Sequence, residues 1–169
     1  MLPKKHELFN FNDLDQSEVE KWVREGPDKS LIESVEAFGR YISDTLKNAK
    51  IKIKNKEKKR DESVSTSQIR QIFAKMKTLE AKGGLIQGDK RDVVDGNARI
   101  IDFLMLKPLM AYASSRHNTV GMKRLVERLD WALNCVVEGS GIKEKQKRFK
   151  NFCKLFEAIL AYHRAYGGK

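Results

Sequence analysis

Glycine and proline are scarce in this chain: 11 and 3 of 169 residues, about 8% together against roughly 12% in average proteins. With so few breakers, helices are favoured. Cysteine is scarcer still, with only Cys135 and Cys153. Two cysteines exclude a disulfide framework and point to a reducing, cytoplasmic setting. No apolar run approaches the ~18 residues of a membrane span. The opening MLPKKHELFNF lacks the apolar stretch and small-residue cleavage site of a secretory signal. Strand-like alternation is almost absent, Ile51 and Ile53 being the exception. A chain of this length forms one domain, two at most, and buries on the order of 70% of its unfolded surface. Neither metal nor disulfide is needed for stability. Secreted, membrane-spanning, collagen-like and wholly disordered classes are thereby excluded.

Charge is present in excess and unevenly. Lys and Arg number 34 against 23 Asp and Glu, a net +11 with a pI near 9.6. Residues 1–46 carry 6 basic and 10 acidic side chains, residues 47–63 carry 8 and 3, residues 64–142 carry 12 and 8, and residues 143–169 carry 8 and 2. An acidic head therefore precedes a basic body, and a polyanion is the leading candidate partner.

Helix starts are legible. Asp15 with Glu18 forms a capping pair ahead of Val19, Trp22 and Val23, and Gly26-Pro27 closes that short helix. Asp28 caps the next, whose apolar face is Leu31, Val35, Phe38, Ile42 and Leu46. From Lys47 to Ser63 the chain reads KNAKIKIKNKEKKRDES. Repulsion and little buriable surface predict a linker or exposed loop, serving either as a solvated tether or as a basic arm reaching for phosphates. Ser65 and Gln68 form a capping box opening a helix with Ile69, Ile72, Phe73, Met76 and Leu79 on one face, ended by Gly83-Gly84. A helix from about Asp89 to Arg116 is apolar nearly all round between Ile100 and Ala113, which predicts the buried centre of a bundle. Pro108 lacks an amide donor and clashes with the Leu104 carbonyl, so a kink or break is expected there. Thr119 opens a further helix with Leu125, Leu129, Ala132 and Val136 inward, and Gly139-Ser140-Gly141 makes a turn. The last helix, about Lys143 to Tyr166, sets Phe149, Phe152, Cys153, Phe156, Leu160 and His163 on one side. Lys143, Lys147, Lys150 and Lys154 fall on the other, within an arc of roughly 60°. The fold expected is all-α: a compact helical bundle of about five to six helices with a Lys-rich linker after the second. Its parts are an acidic helical segment at 1–46, the linker at 47–63 and the bundle at 64–169.

Catalytic patterns are weak. His117, Cys135, Cys153 and His163 contain no C-x-x-C or H-x-x-x-H half-site for a metal, and the cysteines read as small buried groups. Asp89, Asp92 and Asp95 share a spacing of three that a small metal-dependent nuclease could use. They also stand at a helix N-terminus, where the dipole favours carboxylates. Gly83, Gly84 and Gly88 are not followed by the Gly-Lys-Ser/Thr of a phosphate-binding loop. No catalytic residue, metal or cofactor is expected. The lysine stripe could be a solvated face or a phosphate-binding one.

Three stretches, in order, resemble the small all-helical subunit of the type III-A CRISPR effector, the Csm complex. They are TSQIRQIF at Thr66–Phe73, LKPLMAYASSR at Leu106–Arg116, and FCKLFEAILAYHRAYGGK at Phe152–Lys169. The resemblance covers about residues 64–169. It implies a subunit without an active site, repeated as a filament or dimer beside other subunits of the effector. Such a subunit flanks the guide RNA–target RNA duplex through backbone contacts in antiviral defence. Phosphate contacts position a strand without reading its sequence, and base pairing does the reading. Carried onto this chain, the motifs nominate Arg70, Lys107, Arg116 and Lys154 for RNA phosphates. Lys143, Lys147 and Lys150 join through the charge stripe, and Ser67 and Thr66 as donors at a helix start. Tyr162, Tyr166 and Glu157 are assigned to packing between helices or copies. A helical DNA-binding regulator is the competing binding function, although a helix-turn-helix needs short helices and a polar recognition helix.

Overall fold

The capping residues begin helices where the sequence places them. Glu18 N–H donates to Asp15 Oδ1 at 2.9 Å and Asp15 N–H returns to Glu18 Oε1 at 3.2 Å. Leu31 N–H donates to Asp28 Oδ1 at 2.8 Å, Ser65 N–H to Gln68 Oε1 at 3.0 Å, and Met122 N–H to the Thr119 hydroxyl at 3.2 Å. The computed structural model describes residues 11–85 and 93–169, the side chains of 51–53 and 93–98 excepted. Over those residues the chain forms α1 (Gln16–Glu25), α2 (Lys29–Arg40) running into a π-helical turn (Tyr41–Thr45), β1 (Lys50–Ile53), β2 (Lys56–Lys59), α3 (Thr66–Ala81), α4 (Val93–Leu104), α5 (Leu106–Arg116), α6 (Val120–Val137) and α7 (Gly141–Ala165). The fold is an all-α bundle carrying one short hairpin.

The axis of the bundle is α7, against which α1, α2, α3 and α6 all pack. Phe149, Phe152 and Phe156 are fully buried along it, each removal from water contributing about 1.5–3 kcal/mol. Phe103 of α4 meets Phe149 and Phe152 edge-to-face at 5.4 and 5.1 Å. Polar pins hold α1 to the same helix. Trp22 Nε1 donates to the Asn151 carbonyl and Asn151 Nδ2 to the Val23 carbonyl, both at 3.0 Å. Residues 11–46 thus share one core with the rest of the chain.

The long helix expected over Asp89–Arg116 is neither single nor central. It breaks after Leu104, and Pro108 falls in the first turn of α5, consistent with the clash anticipated at the Leu104 carbonyl. Phe103, Leu106, Met110 and Ala113 face the core, but Ile101, Met105 and Tyr112 are 59%, 49% and 58% exposed. An apolar composition all round did not mean burial all round. The stretch before Val93 lies outside the described residues, and with it Asp89 and Asp92.

Arg128 was not foreseen among the inward residues of α6. Leu125, Leu129, Ala132 and Val136 are fully buried as expected, and Arg128 joins them at 2% exposure. Its guanidinium lies 4.5 Å from the Phe38 ring centroid and 5.5 Å from that of Trp131, and donates to the carbonyls of Phe11 and Asp13 at 3.4 and 3.3 Å. Burial brings its pKa down to about 10, still charged at neutral pH.

The Lys-rich tract contains a hairpin, not a structureless tether. β1 and β2 are antiparallel, with Lys50 opposite Lys59 and Ile53 opposite Lys56. What fixes it lies at its root, where Ala49, Glu62 and Val64 are buried. Arg60 N–H donates to the Ala49 carbonyl at 3.1 Å, Glu62 N–H to Leu46 at 3.0 Å, and Val64 N–H to Ile42 in the π-helical turn at 2.9 Å. The Glu62 carboxylate accepts from the Val120 amide at 2.9 Å, so it caps α6 from within the core, and it pairs with Arg60 at 3.0 Å. The Glu62 carbonyl accepts from Gly121 N–H at 2.8 Å.

That contact reverses the usual helix preference at position 121. A Cβ on Gly121 would stand 2.8 Å from the Glu62 carbonyl oxygen and 3.0 Å from Val64 Cγ2. Gly121→Ala is expected to destabilise the fold by about 1–3 kcal/mol, although Gly→Ala inside a helix ordinarily gains about 0.5–1 kcal/mol. Urea denaturation midpoints would decide the sign; a stabilised variant refutes the close approach.

Candidate nucleic-acid interface

α3 runs antiparallel to α7. Thr66 N–H donates to the Lys169 carbonyl at 2.5 Å at one end. Lys77 pairs with Glu157 midway, and Gln146 bonds both Leu85 N–H and the Gly83 carbonyl at the other end. α5 packs against α3 as well, and Arg70 lines the cleft at each of the two pairings. Arg70 therefore stands on a ridge with a cleft on either side.

The cleft between α3 and α5, about 390 Å³, is lined by Ser67, Arg70, Tyr112, Arg116 and His117 over an apolar floor of Ile72, Leu109 and Ala113. Arg116 Nη1 donates to Tyr112 Oη at 3.2 Å, which holds the guanidinium at the rim. The cleft between α3 and α7, about 410 Å³, is lined by Arg70, Lys77, Arg164 and Glu157 with Phe73 and Leu160 beneath. Ser67 and Arg70 are exposed, as is Arg116. A track of cations with hydroxyls beside them can receive phosphate oxygens without contacting base edges.

Of the residues nominated from sequence, the fold brings Ser67, Arg70 and Arg116 together. It does not bring Lys107 to them. Nine residues before Arg116, Lys107 lies on the opposite side of α5 at 100° per residue, and its ammonium sits 3.3 Å from Asp130 of α6. Lys143, Lys147, Lys150 and Lys154 are all exposed along α7, about 16 Å end to end. Lys154 stands one turn before Glu157, which lines the α3–α7 cleft, so the stripe runs along α7 up to that cleft and ends about 15 Å short of Arg164. Thr66 also changes role, since its amide is taken by Lys169. Arg164, Lys77, Tyr112 and His117 line the clefts without having been nominated. The antiparallel α3–α7 pairing, which the sequence does not display, is what brings Arg164 and Lys77 beside Arg70.

Tyr162, Tyr166 and Glu157 pack within the chain. Tyr166 Oη donates to Glu36 at 2.7 Å with Arg40 over its ring at 5.4 Å, while Tyr162 borders the core. Among the described residues no group of three or more His, Cys, Asp or Glu is placed to hold a metal. Cys135 and Cys153 are buried and unpaired, burial raising both thiol pKa values. Among the described residues no helix is long and apolar enough to cross a membrane.

The chain matches the family described as Csm2 Type III-A over residues 39–169, more than three quarters of its length. It belongs to that family. The chain is thus a small subunit of the type III-A Csm complex, a CRISPR effector, and associates with other subunits of that complex. No curated protein and no solved structure matches it. The family match begins well upstream of the resemblance at 64–169, taking in the π-helical turn and the hairpin. It takes in the Tyr-Gly-Gly-Lys stretch, and the fold supplies a reason for the second of these glycines. Gly168 lies over the His163 ring, where any Cβ would collide with the imidazole, and Gly168 N–H donates to the His163 carbonyl at 2.9 Å.

His163 is fully buried and its Nε2–H donates to the Val64 carbonyl at 2.5 Å, leaving Nδ1 without a hydrogen-bond partner. Burial, with Arg164 adding to it, lowers its pKa below 6.5. Unfolded chains then take up the proton before folded ones. The His163 contribution is complete above about pH 6.5 and is lost as pH falls below it, at up to about 1.4 kcal/mol per unit. Urea midpoints at pH 7.5, 6.5 and 5.5 should show that loss in the parent chain. His163→Gln should start less stable and vary less over the same range. Parallel profiles for the two proteins would contradict a buried neutral imidazole.

Proposed function

We propose that the chain is a non-catalytic, cytoplasmic RNA-binding subunit of a type III-A CRISPR interference complex. In this reading it lines the guide RNA–target RNA path through phosphate-backbone contacts in antiviral defence. The observation that carries the reading is Arg70, exposed on the ridge of α3 with Arg116 across one cleft and Arg164 across the other. Arg is suited to this because its planar fork engages phosphate oxygens bidentately and never deprotonates. Ser67 supplies a hydroxyl at the mouth, Lys154 and the α7 stripe add charge beyond it, and Lys107 reaches a phosphate only by sharing Asp130. Ile101 and Met105, exposed on α4–α5, offer an apolar surface for another subunit or a second copy. A DNA-binding regulator fits less well, because among the described residues no short polar helix stands clear of the bundle for a groove.

Arg70→Ala is expected to weaken binding of single-stranded RNA about equally across sequences. The dependence of log affinity on log salt should flatten by about 0.7, or by about 0.9 if the partner is duplex-like. Arg70→Ala with Arg116→Ala should roughly double that change, while Lys107→Ala should move it less. Titrations at two salt concentrations would measure both, and a sequence-dependent loss would refute a backbone contact.

The α7 stripe is tested separately. Lys143, Lys147, Lys150 and Lys154 changed together to Ala should lower affinity more than any single change. Helix content by circular dichroism should hold, since the buried face from Phe149 to Ile159 is untouched. Unchanged affinity and salt slope would make the stripe a solvated surface only.

A further inference from the structure

The hairpin is costly for what it contributes to the fold. Lys50 and Lys59 stand directly opposite one another across the strands, and like charges so placed are destabilising. A lone two-stranded hairpin is marginal in water. At the tip, Lys54 and Asn55 both adopt left-handed backbone, φ 47° and 62°; Asn tolerates this readily, whereas Lys does so at a cost. Every residue from Lys54 to Arg60 is exposed. Arg60 pairs with Glu62, but among the described residues Lys50, Lys54, Lys56, Lys58 and Lys59 make no ion pair. None of the side chains from Lys54 to Arg60 is apolar, so this stretch has nothing to bury on a partner.

Its placement is specific. The root is fixed by Glu62, whose carboxylate and carbonyl hold Val120 and Gly121. Those two residues begin α6 directly after the connection from Arg116 and His117, which line the α3–α5 cleft. From that root four residues per strand carry the tip about 13 Å outward. Cations occupy both faces of the ribbon, Lys50 and Lys59 on one, Lys56 and Lys58 on the other. We propose that the β1–β2 ribbon is a second phosphate-binding arm that continues the RNA path from the α3–α5 cleft. The identity of the polyanion rests on the RNA reading above; the arm itself rests on the ribbon. RNA is favoured over an anionic membrane because the root of the ribbon holds the start of α6, a few residues after Arg116 and His117 of the cationic cleft. The bound strand supplies the counter-charge that the Lys50–Lys59 pairing lacks.

The test uses the full chain and a fluorescently labelled, unstructured single-stranded RNA, titrated by anisotropy at several salt concentrations. Changing Lys50, Lys54, Lys56, Lys58 and Lys59 together to Ser should weaken binding about tenfold or more at low salt. The salt slope should flatten by up to ~3.5, about 0.7 for each phosphate no longer neutralised. The same five changed to Arg should keep both affinity and slope. Thermal stability of the Ser variant should equal or exceed that of the parent, since the repulsion is relieved. Amides of residues 50–59 in the parent should exchange more slowly with RNA bound. Unchanged affinity and slope in the Ser variant would overturn the proposal. So would ribbon-dependent binding to phosphatidylserine vesicles or polyglutamate without ribbon-dependent binding to RNA. Arg70→Ala with Arg116→Ala, measured in parallel, separates the two sites. If that variant binds normally and the ribbon variant does not, the cleft reading falls and the arm stands.

Discussion

A single carboxylate, taken out of water, ties the parts of this fold together. Glu62 is 1% exposed, a position at which an unpaired charge would be strongly destabilising. It is tolerated because it caps α6 through the Val120 amide and pairs with Arg60, while its own backbone bonds Leu46 on one side and Gly121 on the other. Helix α6 begins where Glu62 places it, the hairpin is rooted there, and the connecting segment that follows is led past Val64 to the start of α3. The helix dipole makes the N-terminus of α6 the favourable place for that charge.

The other end of the same segment is held by His163. Its bond to the Val64 carbonyl, the Gly168 backbone lying over its ring, and the Lys169 carbonyl on Thr66 close the C-terminal tail onto the first turn of α3. The tail thus takes up the Thr66 amide at the start of α3 and leaves Ser67 and Arg70 exposed beyond it. Arg70 and Arg164 owe their nearness to the antiparallel pairing of α3 with α7, which Lys77–Glu157 and Gln146 keep in register. Stability and the cationic track are consequences of one packing.

Charge is partitioned by the same packing. The acidic N-terminal helices lie against α6 and α7, whereas the cationic clefts are built by α3, α5 and the far part of α7. A polyanion approaching such a surface is oriented before contact, because the field differs between its sides. The buried Arg128 belongs to the first group: it clamps the carbonyls of Phe11 and Asp13 under Phe38, and takes no part in the track.

Local chemistry was legible in the sequence. Asp15, Asp28, Ser65 and Thr119 begin helices because their side chains and partners lie within three residues, and Pro108 interrupts one because its clash is with its own chain. The periodic faces of α2, α6 and α7, the all-α fold and the family resemblance at Thr66–Phe73, Leu106–Arg116 and Phe152–Lys169 followed from the same short spacings. Arg70, Arg116 and Ser67 were found as basic or hydroxyl residues in those motifs. What the sequence could not settle was which faces meet. Helix α4–α5, apolar all round, was read as the centre, but only packing decides which side of such a helix is covered. The hairpin was hidden because its stability comes from Ala49, Glu62 and Val64 at the root, and Glu62 is buried by contacts with residues nearly sixty positions away. Lys107 and Arg116 share a motif yet point apart, and Arg164 joins Arg70 from the far end of the chain. Spacings within one helix are set by its own geometry and were determined by sequence alone; neighbours between helices depend on which surfaces exclude water together, and only the tertiary structure decided those.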